Sequence, residues 1–150
     1  MYTRHEASIL RKKFWTSFGQ YMRPLSNADG EMINWLNYKT GIRQIHFRMD
    51  ADTKMASIAI ELHHSDPALR MEYFNKFLQL KAMLEESLGE SWEWQSSTVD
   101  EDGKVISRIG VTKTGVNVFN QDDWPEIISF LKARIIALDD FWSLVKNTFG

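Results

Sequence analysis

Glu61, His63, His64 and Asp66 crowd into one short stretch, and Asp50 and Asp52 precede them in the turn-like run Asp50-Ala51-Asp52. Restriction-type nucleases place one acid on a strand and an acid-x-Lys on the next; the carboxylates hold Mg²⁺ and the lysine positions water. Asp50 or Asp52 would supply the first acid here and Glu61 the second, but His63 stands where that lysine belongs. Both aspartates read as turn residues, several strand positions from Glu61. As a metal site the cluster is short of ligands. Successive strand residues point to opposite faces, so His63 and His64 do not share an ion. His64 with Asp66 makes two ligands where three or four are usual. The sequence therefore offers Asp50, Asp52, Glu61 and His63 as nuclease candidates, with no complete catalytic set, no metal site and no cofactor motif. The plainer reading is that Ser65 and Asp66 cap a following helix.

Two other groups could bind rather than react. Arg4, Arg11, Lys12 and Arg23 give the N-terminal region a basic patch, with Trp15 beside it as a stacking aromatic, the combination that holds nucleic acid. On a helical wheel, Arg11 and Lys12 face away from the buried Phe14, as a solvated helix face would. The second group needs strands. Gln44, His46, Arg48, Glu61, Glu93 and Arg108 all fall on the polar side of alternating segments, and would share one sheet face. Uncovered, that face is the broadest polar surface the fold can offer a ligand. Covered, its charges must pair.

These residues depend on elements that the patterning predicts. A helix opens at Thr3 with Glu6 three residues on, a capping box, and carries Ala7, Leu10, Phe14, Phe18 and Tyr21 on one face until Pro24. A second opens at Asp66-Pro67 and runs through Leu69, Tyr73, Phe77, Leu80, Leu84 and Leu88 to Gly89. A third opens at Asp123-Trp124-Pro125-Glu126 with a stripe from Ile127 to Phe149, widened by Phe130, Phe141 and Leu144. A stripe that wide suggests two neighbours or a partner chain. The first hairpin alternates through Ile45–Met49 and Ile58–Leu62, and pairing Phe47 with Ile58 and Ile45 with Ile60 puts its apolar residues together. The second joins Trp92-Glu93-Trp94 to Val105–Val111 through Asp102-Gly103, and a short fifth strand is read at Val116 and Val118. Residues 23–42 form a loop with one helical turn near Met32–Leu36, held by Trp35 and Tyr38. The expectation is one α+β domain over residues 1–150. Its antiparallel sheet has four to five strands in two hairpins, with three main helices in the order α-ββ-α-ββ(β)-α.

Composition narrows the class. The 150 residues include six Trp and nine Phe, enough aromatic surface for a substantial core. There is no cysteine, which excludes disulfides and thiolate chemistry. No apolar run reaches the length of a membrane span, and the charged start MYTRHEASILRKKFW lacks a signal-peptide block, so a cytoplasmic protein is expected. Residues 1–54 hold nine Lys/Arg against five Asp/Glu, and residues 55–150 nine against fifteen. That balance argues against a nucleic-acid binder relying on bulk charge.

Several landmarks together resemble a known family. They are Phe14-Trp15 in the first helix after Arg11, Trp35 and Gly41 before the first hairpin, and the Phe77–Leu88 helix ending Leu-Gly-Glu. Trp92-Glu93-Trp94 and the Asp123-Trp124 helix entry complete the set. With these the chain resembles the bacterial and archaeal family catalogued as domain of unknown function 4268. The resemblance implies no assigned activity. It implies a domain often joined to an N-terminal part like restriction-endonuclease folds, whose catalytic residues have no counterpart among these residues. With no complete catalytic set and a wide aromatic stripe on the third helix, the function expected is that of a non-catalytic interaction domain, and the resemblance adds a DNA-associated or defence setting. Its partner would be another protein or a second copy of the chain in a homodimer. The alternatives are a divergent metal-dependent nuclease and direct nucleic-acid binding through the N-terminal patch.

Overall fold

A computed structural model describes residues 3–150; Met1 and Tyr2, the start of the charged N-terminal stretch, lie outside them. Helix α1 (Arg4–Met22) begins as its capping box requires, with the Thr3 hydroxyl accepting the Glu6 N–H at 3.1 Å. Its buried face is Phe14, Phe18 and Met22, while Tyr21 is exposed. The last step along the stripe thus falls on Met22 rather than Tyr21, a spacing the 3.6-residue period equally allows.

The strands are β1 (Ile45–Ala51), β2 (Met55–Leu62), β3 (Glu93–Val99) and β4 (Val105–Thr114), forming one antiparallel sheet in the order β1-β2-β4-β3. Phe47 pairs with Ile60 and Ile45 with Leu62, two residues from the expected partners. The cause is the turn. Asp52 accepts the N–H groups of Lys54 and Met55 on its side chain and donates its own N–H to the Met55 carbonyl. That closes a tight loop at Thr53-Lys54 and leaves Asp50 inside β1. A shift of two preserves the faces, so the apolar side is the one expected. Val116 and Val118 do not form a fifth strand. They are buried in a loop, where the Val118 N–H reaches the Asp52 carbonyl at 3.0 Å. Gln44 also leaves the strand pattern: it stands before β1 with φ 69°, and its carbonyl accepts the His63 N–H.

The second expected helix is two. Asp66 caps α2 (Pro67–Gln79) through the Ala68 N–H, the chain bends at Leu80, and α3 (Lys81–Leu88) ends on Gly89 at φ 70°. The buried face of α2 is Arg70, Phe74 and Phe77, so the stripe is rotated and Leu69 is exposed. Helix α4 (Trp124–Val145) buries nearly its whole predicted stripe, with Leu144 left outside. Its N-cap residue Asp123 commits its carboxylate to the Asn117 N–H instead of to the helix. The width of this stripe is used within the chain, because α1, α3 and the sheet all pack on α4. A partner chain is not required to cover it.

All the packing helices lie on one side of the sheet. α4 crosses β1 and β2, and α2 meets β2 and β4. Phe47 meets Trp142 edge-on at 5.6 Å, and Trp94 meets Phe74 at 5.8 Å. Phe77, Trp142 and Phe149 form a triangle of rings, with Phe77 at 6.3 and 4.6 Å from the other two. The expected core aromatics Phe47, Phe77 and Trp92 are buried, as is Ile58. Residues 23–42 are held by a single 3₁₀ turn at Trp35–Asn37 and by the buried Asp139 of α4. That carboxylate accepts the Ala28 N–H at 2.7 Å and the Tyr38 hydroxyl at 2.5 Å. No helix among the described residues is long and apolar enough to cross a membrane.

Candidate functional site

Strand alternation sends every second side chain away from the helices. Opposite one another on that far face stand His46, Glu61, Arg108 and Gln95 in one row, then Arg48, Ala59, Gly110 and Glu93, then Asp50, Ser57 and Thr112. No helix of the described residues is packed there. The registers of β3 and β4 slip between Gln95 and Thr98, and such irregularities bend a strand. The turn at Asp100–Asp102 then borders the face, with Glu101 at 3.9 Å from Arg48 of β1. Between turn and sheet runs a trough of about 390 Å³. It is lined by five carboxylates, Asp50, Glu61, Asp100, Glu101 and Asp102, against two guanidiniums, Arg48 and Arg108.

The centre of the face is ordered by a flat-lying arginine. A Cβ added to Gly110 would come within 2.6 Å of Arg108 Nη1 and 2.9 Å of the Ala59 Cβ. Glycine at 110, with Ala59 beside it, therefore leaves the space that the Arg108 guanidinium occupies. Glu61, only 8% exposed, sits between partners: its Oε1 bonds His63 Nε2 at 2.8 Å, and its Oε2 is 3.9 Å from Arg108 Nε. His46 meets His63 edge to face at 5.0 Å. Burial, then the neighbouring His63, holds the His46 imidazole below its ordinary value. Asp100 is held below the usual carboxylate range by backbone N–H bonds from Lys104 and Asp102.

The structure thus brings together His46, Arg48, Glu61 and Arg108, adds Asp50, and shows the polar face to be open. Glu93 and His46 lie on the same face but outside the trough, and both are exposed. The nuclease candidates are separated. Glu61 stands opposite His46, four residues along the strand from Asp50, which is about 13 Å. Asp52 is committed to its turn. No three His, Asp or Glu side chains among the described residues are grouped to hold a metal ion. On α1, Lys12 is exposed, Arg11 lies 5.5 Å over the Phe119 ring, and Trp15 is half-buried against Phe14. That patch and the trough are distinct surfaces.

A second cavity of about 400 Å³ lies between the 23–42 loop and α4. Asp29 reaches across its mouth to Lys146 at 2.9 Å and Ser143 at 2.8 Å, and the Lys146 bond draws the carboxyl below its usual range. Burial, then the bond to Asp139, pushes the Tyr38 phenol far above its ordinary value. Sequence reasoning missed Ser57, Thr112, Gly110 and Asp139. Gly110 had a signal, since glycine inside a strand marks a close approach. So had Asp139, an acid about one helical turn from both Ile135 and Trp142 in an otherwise apolar stripe.

A family model described as Domain of unknown function (DUF4268) matches residues 10–146. The chain belongs to this family. The DUF4268 match runs from within α1 to the end of α4, and so contains the trough and every residue that lines it. No curated protein and no solved structure matches the chain.

Proposed function

We propose that this DUF4268 domain is a non-catalytic binding module that recognises a polypeptide partner on the open polar face of its sheet. The observation that carries this reading is the asymmetry of the sheet. Helices α2 and α4 pack on one face, and the other keeps a charged trough that none of the described residues fills. Charged side chains held at fixed positions on a strand scaffold are preorganised for recognition, and little ordering cost remains to be met on binding. The excess of carboxylates repels phosphate, so nucleic acid is a poor occupant of the trough. A DNA-associated or defence setting enters this proposal only as context from the family resemblance, the protein partner being what this surface accommodates.

Random-peptide display on the purified domain tests the reading. Thr112→Trp should fill the trough from an exposed position and abolish binding of the enriched peptides, whereas Leu144→Ala on α4 should leave it intact. No enriched peptide, or peptides indifferent to Thr112→Trp, would overturn the proposal.

A further inference from the structure

Within that trough, and resting on the reading just given, we infer that Asp50, Ser57 and Thr112 form a subsite for the ammonium group of a lysine side chain. The three stand opposite one another on β1, β2 and β4, and all three line the trough. Most of their oxygens are free. Asp50 Oδ1 accepts the neighbouring Ala51 N–H, no cation of the described residues lies within 4.0 Å of its carboxylate, and the hydroxyls of Ser57 and Thr112 bond to no other described residue. Ser57 is only 8% exposed, so its hydroxyl has little access to water except through the trough. The Ser57 and Thr112 hydroxyls therefore face the trough with no partner of the described residues to be displaced, and a donor arriving there needs to replace only water.

The chemistry of the occupant follows from the set. One carboxylate and two hydroxyls are too few hard ligands for Ca²⁺ or Mg²⁺. An ammonium is a compact charge with three donors, which matches three acceptors on neighbouring strands. The two guanidiniums of the trough already face carboxylates, Arg48 beside Glu101 and Arg108 beside Glu61, leaving Asp50 as a lining acid with no cation of its own. Exposed Met55 stands at the same end and offers an apolar surface to a lysine stem. The remaining acidic rim favours a basic polypeptide segment over an isolated amine.

Amide chemical shifts of the labelled domain report the site directly. Titration with acetyl-Gly-Lys-Gly-amide should move the Asp50, Ser57 and Thr112 signals. The Nε-acetyl-lysine peptide and the Asp50→Asn variant should each weaken binding by about tenfold or more, the loss expected for one charge-assisted hydrogen bond. Ser57→Ala, a change that removes only the hydroxyl, should weaken it less. n-Butylamine should shift the same amides more weakly than the lysine peptide. Equal binding by the acetylated peptide, an Asp50→Asn variant that binds as the parent does, shifts confined to other surfaces, or butylamine matching the peptide would each overturn the inference. Displayed peptides that need the trough but show no lysine would sink this subsite and leave the binding module standing; the absence of any such peptides would remove both.

Discussion

The two faces of this sheet are built from the same strands, and on β2 they are nearly equally buried. Ile58 and Ile60 are 0% exposed beneath the helices, yet Ala59 at 1% and Ser57 and Glu61 at 8% are scarcely more accessible on the open side. The material that buries them differs. On one side aromatic rings from α1, α2 and α4 close over aliphatic side chains in a continuous core. On the other, small residues are shaded by their own strand neighbours, as the guanidinium of Arg108 lies over Gly110. Low exposure therefore marks stability on the first face and preorganisation on the second.

The largest effect should fall on the covered side. Phe77→Ala removes a fully buried ring from the Trp142–Phe149 cluster and should cost about 3–5 kcal/mol in urea unfolding. Ser57→Ala, equally central but on the open face, should stay within about 1 kcal/mol, because its hydroxyl has no partner to lose. Comparable losses from the two would erase the distinction. Asp139→Ala comes next. It leaves the Ala28 N–H and the Tyr38 hydroxyl, two part-buried donors, without their shared acceptor, at about 1–3 kcal/mol. If Tyr38→Phe in the same background adds nothing further, the two residues act as one clasp on the 23–42 loop.

The legibility of these features in the sequence depends on the kind of signal. Helix starts were legible because Thr3 and Asp66 satisfy backbone donors locally, and both caps stand as expected. Sheet faces were legible because a period of two survives an even slip, which is why the wrong partners for Phe47 still gave the right side. The exact register was not. It depends on which atoms the Asp52 carboxylate accepts, a matter of turn chemistry rather than alternation. The break at Leu80 was hidden too, since a bend leaves the apolar spacing of Phe77 and Leu84 almost unchanged. For the site, parity alone placed His46, Arg48, Glu61 and Arg108 together, but openness of the face is set by where helices pack, and that is a tertiary outcome. Ser57 and Thr112 escaped notice because a hydroxyl becomes informative only when its lack of a partner is known.

Gly110→Ala probes the space that Arg108 occupies. The new methyl group meets the flexible end of Arg108, which can move, and the Ala59 Cβ, which is fixed in β2. A cost of about 1–2 kcal/mol is expected, together with altered shifts at Arg108 and Glu61. An unchanged spectrum would mean that Arg108 is not held flat.

The histidines give an effect read as a slope. His46 and His64 both have folded values below the ordinary 6.5, each mainly through burial, with His63 adding to the first and Arg70 to the second. The unfolded chain therefore binds more protons than the folded one as pH falls through about 6.5. Stability should be undiminished above that point and decline below it, until the folded-state values are passed. His64→Phe, which keeps a ring stacked on Tyr73 now at 4.5 Å, should flatten part of the decline. Equal slopes for variant and parent would remove His64 from the account.

Arg48→Ala should have the smallest effect on stability. Its partner Glu101 is 3.9 Å away, and both side chains are largely exposed, so water and salt screen the pair. The loss should remain within about 0.5 kcal/mol, the range of exposed ion pairs. Binding should respond differently. Removing this guanidinium makes the trough more acidic, so a lysine peptide should bind at least as tightly as to the parent, with a steeper dependence on salt. A variant that unfolds more easily but binds unchanged would assign Arg48 to the framework. One that keeps its stability and gains affinity for the basic peptide would place it, with the rest of the open face, in recognition.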